Sequence, residues 1–214
     1  MVRAWSVVLM VLLAPVGVVA EESPVFRGTI SPLSMKLQEQ MRGVSFHEGC
    51  PVPFEDLRLL TISHFDLNGR LQEGEIVVHA AVAADMIAIF RSLHASQFPI
   101  ERMKLVWEYA GSDDASCAAN NTSAFNCRKV TGSTKSWSNH ALGRAIDINP
   151  LWNPYVKREL IIPPKGSAFV DRAQKHPGMI HAGDPVVNAF KERGWSWGGD
   201  WKRLKDYQHF EKKK

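Results

Sequence analysis

The amino-acid sequence predicts an α+β domain. One long stretch has helical spacing, with Ile76, Ala80, Ala83, Ile87, Phe90 and Leu93 recurring every three or four residues. A second helix is announced by Asp184-Pro185, an acid at the cap and proline at the first position, and is stopped by Gly194. Between and after these lie short apolar runs at residues 57–63, 145–149, 195–197 and 207–212, too short for helices and bounded by turn residues.

In chain order, residues 21–55 are punctuated by proline and glycine, with a short helix expected over Met35–Met41. Residues 57–63 alternate loosely and predict a strand, followed by a turn at Asp66-Leu67-Asn68-Gly69. Residues 75–96 predict one amphipathic helix packed on a sheet and ended by Pro99. Residues 104–109 predict a strand. Residues 111–136 are rich in Gly, Ser, Asn, Asp and Thr and predict a long polar loop, of the kind that is functional or disordered. A strand is expected over residues 145–149, then an irregular, proline-rich excursion over residues 150–180. The second helix runs to about Arg193, and the last strands follow. No internal repeat and no linker divides the chain.

At 214 residues, 45% hydrophobic and 22% charged, the chain can bury a sizeable core, which excludes a disordered or fibrous protein. The N-terminus has the form of a secretion signal. Arg3 is the positive end, an apolar run extends from Ala4 to Ala14, and Val18-Val19-Ala20 precedes a cleavage point before Glu21. The rival is a membrane anchor, which the short apolar run, Pro15 and Gly17 argue against. The expected division is residues 1–20 as signal peptide, 21–55 as an N-terminal extension and 56–214 as the functional domain. No other stretch is apolar enough to span a bilayer. The expectation is therefore a secreted or periplasmic protein without stable membrane insertion after cleavage.

The formal charge is +4, and removing residues 1–20 deletes one arginine and no acid, leaving +3. The basic residues Lys202, Arg203, Lys205 and Lys212–Lys214 read as a solvated tail, or as a weak attraction to an anionic wall polymer. No aromatic–basic interleaving points to nucleic acid. Cys50, Cys117 and Cys127 permit one disulfide in an oxidising compartment. Cys117 with Cys127 would close a short loop, Cys50 is the third candidate, and the pairing is left open. With no CxxC pair, a cysteine-only zinc site is not expected.

Two segments carry the chemistry. The first is Ser138-Asn139-His140-Ala141-Leu142-Gly143-Arg144-Ala145-Ile146-Asp147; the second joins Trp197-Gly198-Gly199-Asp200-Trp201 to Asp206-Tyr207-Gln208-His209-Phe210. His140, Asp147 and His209 supply two imidazoles and a carboxylate, the three protein ligands of a catalytic zinc site with one position left for water. Gly143 and Ala145 are small enough to let the chain turn back toward a shared ion. Ile146 and Ile148 flank Asp147, so alternation sends Asp147 to the face opposite them. Asp206, three residues before His209, is placed to act as general base and acid beside the metal. The six other histidines are read as structural. So are Trp195, Trp197 and Trp201, with a share in a groove wall as the alternative.

These segments resemble the zinc D-alanyl-D-alanine carboxypeptidases and L-alanyl-D-glutamate endopeptidases, through SxHxxGxAxD followed by a distant DxxH. Flanking text agrees: residues 120–128, Ile148-Asn149-Pro150, Asn153-Pro154-Tyr155 and residues 194–201. The resemblance is strongest over residues 105–211. It implies the hedgehog/D,D-peptidase fold, with an antiparallel sheet flanked by helices and zinc on its open face. It implies Zn2+ at His140, Asp147 and His209, and Asp206 as base and acid, an Asp where members use Glu or Asp. It implies Arg128 as a donor to a carboxylate or a developing oxyanion, with a loop-stabilising ion pair as the alternative. Ser138 and, less directly, Asn126 are implied as substrate-binding.

The resulting expectation is a zinc metallopeptidase acting on peptidoglycan stem peptides next to a D-residue. Carboxypeptidase action on terminal D-Ala-D-Ala is the first choice, and endopeptidase action between L-Ala and D-Glu the second. A non-catalytic zinc module binding the cell wall or a protein is a third reading, since fold does not fix function. A base three residues before the last ligand speaks for the enzyme.

Overall fold

The computed structural model describes residues 24–213; the expected signal peptide lies outside the described residues. Among the described residues no helix is long and apolar enough to cross a membrane.

The chain begins with β1 (Gly28–Pro32), α1 (Met35–Met41), β2 (Leu57–Phe65), β3 (Leu71–His79) and α2 (Ala80–Ala95). Strands β1, β2 and β3 form an antiparallel sheet with β2 in the centre. The turn between β2 and β3 is fixed by Asp66, whose Oδ1 accepts the N–H groups of Asn68 at 2.8 Å and Arg70 at 3.0 Å. Gly69 supplies the left-handed residue there, at φ +71°.

The helix expected over residues 75–96 is thus divided: residues 75–79 belong to β3, and the helix begins at Ala80. Ile76 falls on helical spacing by coincidence. The β-branched run Ile76-Val77-Val78 instead serves two faces of a strand. Ile76 and Val78 join Leu60 and Ile62 against Val82, Met86, Ile89, Phe90 and Leu93 of α2. Val77 and Leu57 turn the other way, onto Leu37 and Met41 of α1, Phe54 and Phe125. A sheet covered on both sides loses the polar–apolar alternation that would identify its strands. The N-terminal segment is built into this layer, because β1 pairs with β2 and α1 covers the sheet's second face.

The middle of the chain holds β4 (Arg102–Met103), α3 (Asp113–Ala118) and β5 (Asn121–Thr122), with β4 and β5 parallel. The strand expected over residues 104–109 is instead a 3-10 turn at Val106–Tyr109. Its ladder groups are taken by side chains. Asn121 accepts the Lys104 N–H at 2.8 Å and donates to the Lys104 carbonyl at 2.9 Å, and Glu108 accepts the Leu105 N–H at 3.3 Å. The polar stretch over residues 111–136 contains α3, capped by Ser112, before it becomes loop.

The last part contains β6 (Ala145–Asp147), β7 (Tyr155–Lys157), β8 (Leu160–Ile162), α4 (Pro185–Lys191), β9 (Ser196–Trp197), β10 (Lys205–Asp206) and β11 (His209–Glu211). These strands make two further antiparallel sheets, β6-β11-β9 and β10-β7-β8. The helix start at Pro185 is as the sequence predicts, but Asp184 turns outward from the cap: its Oδ2 accepts the His181 N–H at 2.7 Å. The main core runs from the first sheet through α2 to Phe190, Trp197 and Phe210 behind β6-β11-β9. Phe190 and Phe210 stack there with centroids 3.9 Å apart. The architecture is α+β, antiparallel sheets flanked by helices.

Of the pairings left open, the disulfide joins Cys50 to Cys127, and Cys117 is a buried free thiol. The short Cys117–Cys127 loop does not close, because Cys127 is held beside the N-terminal segment by its N–H to the Ser45 carbonyl at 2.9 Å. Cys117 faces Gln208 instead.

Candidate metal centre

The register of β6 and β11 sets His209 opposite Asp147 and Phe210 opposite Ile146. Directly opposed residues share a face. Ile146 and Phe210 take the core face, fully buried, and Asp147 and His209 take the other. His140 comes from a tight turn, closed by the Ala141 N–H to Ser138 at 3.0 Å and the Gly143 N–H to His140 at 3.0 Å. Gly143 cannot be replaced without strain. Its φ is +63°, and a Cβ would lie 2.5 Å from the His79 nitrogen. That close approach swings the chain from the His140 turn into β6.

The three side chains converge. His140 Nε2 lies 3.2 Å from Asp147 Oδ2, His209 Nδ1 lies 2.9 Å from Asp147 Oδ1, and the two nitrogens are 3.2 Å apart. The donors of His140, Asp147 and His209 all fall within 4.8 Å of one another and could hold a metal ion. Tetrahedral zinc with bonds of about 2.0–2.1 Å separates its donors by about 3.3 Å, so the spacing suits one such ion. The far nitrogens are occupied as metal-ligating histidines require. His140 Nδ1 donates to the Ala124 carbonyl at 2.6 Å, and His209 Nε2 donates to Glu211 Oε2 at 3.2 Å. Each bond orients its ring so that the other nitrogen faces the cluster.

The electrostatics ask for positive charge at the centre. Burial alone would raise Asp147, but the facing imidazoles of His140 and His209 outweigh it and hold this carboxyl far below its usual range. Burial would lower His209, yet its bonds to Asp147 and Glu211 lift it to about 10. Asp206 differs. Its Oδ1 is out of solvent and without a hydrogen-bond partner among the described residues. Burial pushes it up to about 7, against the pull of His209 and with the push of Asp147. It stands on β10, opposite Tyr155 of β7.

These groups line a cavity of about 200 Å³, together with Arg128, Ser138, Tyr155 and Trp201. Arg128 Nη2 pairs with Asp113 Oδ2 at 2.9 Å and Nη1 donates to the Lys129 carbonyl at 3.3 Å, while its Nε is buried without a partner among the described residues. Burial works against its charge, and the nearby acids, Asp113 first and then Asp147, together more than restore it. Ser138 lies in the wall, with Oγ accepting the His140 N–H at 3.3 Å. Asn126 does not line the cavity. Its amide donates to the Gly111 carbonyl at 3.5 Å and its backbone N–H to the His140 carbonyl at 3.4 Å, so it supports the loop.

Trp201 stands 5.4 Å from the His209 ring as part of the wall, whereas Trp195 and Trp197 are core. Burial pushes the Cys117 thiol well up, and its Sγ faces Gln208 Oε1 at 3.8 Å, so it is a neutral packing group. A larger groove, about 660 Å³, is lined by Arg172, Lys175, His176 and His181, but His181 there pairs with Asp184 at 3.3 Å and joins no ligand cluster. Glu211 and Asn139 escaped the sequence reading. Alternation along β11 was the available sign, since Glu211 stands two residues from His209 on the same face.

Residues 131–212 match the family described as D-alanyl-D-alanine carboxypeptidase, which bears out the resemblance carried by SxHxxGxAxD and DxxH. The matched segment contains His140, Asp147, Asp206 and His209; Arg128 and Asn126 precede it. No solved structure matches the chain.

Proposed function

We propose, from the match of residues 131–212 to the D-alanyl-D-alanine carboxypeptidase family, that this protein is a zinc metallopeptidase hydrolysing peptide bonds next to D-residues in peptidoglycan stem peptides. The observation that carries this is one cavity holding both a two-histidine, one-carboxylate cluster and a buried carboxylate oxygen with no partner. A binding module needs the first and has no use for the second.

His140 Nε2, His209 Nδ1 and an Asp147 oxygen would hold the ion. When bound, zinc supplies a Lewis acid for the scissile carbonyl and acidity to a water molecule. Asp206 takes a proton at Oδ1 and returns it to the departing amine. Its burial raises its basicity toward neutral pH, the range in which a general base works best, and a nearby cation would draw it down from there. The unpartnered Nε–H of Arg128 is the donor available to a substrate oxygen, with Asp113 fixing the fork. Ser138 orients the His140 turn and offers its hydroxyl to the cavity.

D,D-carboxypeptidase action is our first assignment. The pairing of Arg128 with Asp113 favours the L-alanyl-D-glutamate endopeptidase as the second, because much of the fork that would receive a terminal carboxylate is already engaged. The Cys50–Cys127 disulfide supports action in an oxidising compartment, secreted or periplasmic. Mass spectrometry of muropeptides, with and without chelator, tests the whole. Chelator-sensitive loss of D-Ala, abolished in Asp206→Asn, is expected. Cleavage at L-Ala–D-Glu selects the endopeptidase, and no cleavage by zinc-loaded protein overturns the assignment.

A further inference from the structure

His140 and His209 lie 69 residues apart in sequence, on separate segments, yet their facing nitrogens stand 3.2 Å apart. A hydrogen-bonded link ties these segments beside the ligands. Asn139, adjacent to His140, donates its amide to Glu211 Oε2 at 2.6 Å, and the same oxygen accepts the His209 Nε2–H at 3.2 Å. Backbone bonds anchor both ends. The Asn139 carbonyl accepts the Arg144 N–H at 2.9 Å, and the Arg144 carbonyl accepts the Lys212 N–H at 2.9 Å. Glu211 is largely shielded, with its side chain 15% exposed, so the link is not an open surface contact screened by water.

We propose that Asn139 and Glu211 are positioning residues of the metal centre. Glu211 holds the His209 ring by its Nε2–H so that Nδ1 faces Asp147 and His140, and Asn139 ties Glu211 to the turn that carries His140. Together they hold the two histidine donors toward Asp147. This rests on the reading of His140, Asp147 and His209 as a zinc site.

The test is zinc affinity of the metal-free full chain, measured by competition with a chromophoric chelator, beside thermal unfolding of the same metal-free samples. Glu211→Ala is expected to weaken zinc binding by about 10–100-fold, the usual effect of removing such a partner. Glu211→Gln is expected to fall between it and the wild type, since an amide oxygen in the place of Oε2 accepts from both His209 and Asn139 but carries no charge. Asn139→Ala is expected to weaken binding severalfold. The double variant Asn139→Ala/Glu211→Ala is expected to bind no worse than Glu211→Ala, because the two act in series. Folded Glu211→Ala and Glu211→Gln proteins binding zinc within about twofold of wild type, or losses that track melting temperature alone, would overturn the inference and leave the zinc reading intact. A wild type that takes up no zinc would overturn both.

Discussion

Replacing Gly198 by alanine tests whether Asp206 works from a fixed position. Gly198 opens the 3-10 turn Gly198–Asp200 and lies directly against β10. A Cβ at this position would stand 2.5 Å from the Asp206 carbonyl oxygen and 2.8 Å from the Asp206 Cβ. Ordinary contact begins near 3.4 Å, so the two segments must part by about 0.6–0.9 Å. Gly198 does not have a positive φ, so the clash is steric rather than conformational. Its neighbour is backbone, and the relief must come from moving Asp206 itself. A misplacement near 1 Å costs about 10²-fold in rate, so kcat should fall about 10–100-fold. Overpacking of this kind costs about 1–3 kcal/mol of stability. His209 is on β11, which β6 holds on the side away from β9 and Gly198 through the pair His209–Asp147, so zinc should stay. The assay is muropeptide turnover, with zinc content by elemental analysis and a melting curve. Wild-type turnover by the folded, zinc-loaded variant would refute the placement of Asp206, and so would a loss of turnover that follows zinc content alone.

The His140→Ala variant should lose bound zinc sharply; unchanged zinc by elemental analysis would remove His140 from the ligand set. Breaking the disulfide, with a sequence separation of 77, by Cys50→Ser should cost about 2–5 kcal/mol in denaturant unfolding. Unaltered stability on substitution and on reduction would deny it a structural role. His64 is 5% exposed, and burial lowers its pKa, outweighing the support of the Phe65 and Ile100 backbone and of Asp66. Its neutral form is the one the fold accepts. The associated stability is complete above about pH 6.5, the unfolded value, and is lost as pH falls toward the lower folded value, by at most about 1.4 kcal/mol per pH unit. Unfolding free energies measured from pH 7.5 to 5 should therefore show a shallower acid decline in His64→Gln, and an identical slope would contradict this.

The chemical groups of the candidate centre are legible along the chain. His140, Asp147, Asp206 and His209 stand in a pattern of fixed spacing, and strand alternation around Ile146 and Ile148 already assigned Asp147 to the face away from the core. The turn at Asp66–Gly69 and the helix starting at Pro185 are legible too, because an Asp turn and a proline at the first helical position act within a few residues. Features that depend on distant partners come from packing. Residues 75–79 are strand only because β2 lies beside them and both faces are covered. Residues 104–109 are not strand, because the side chain of Asn121 takes the hydrogen bonds a ladder would use. The pairing of Cys50 with Cys127, the engagement of Arg128 by Asp113 and the link from Asn139 through Glu211 to His209 are all contacts between separate segments. A motif states which groups are present along the chain; how far apart they stand, and what holds them there, is set by packing between elements that are remote in sequence.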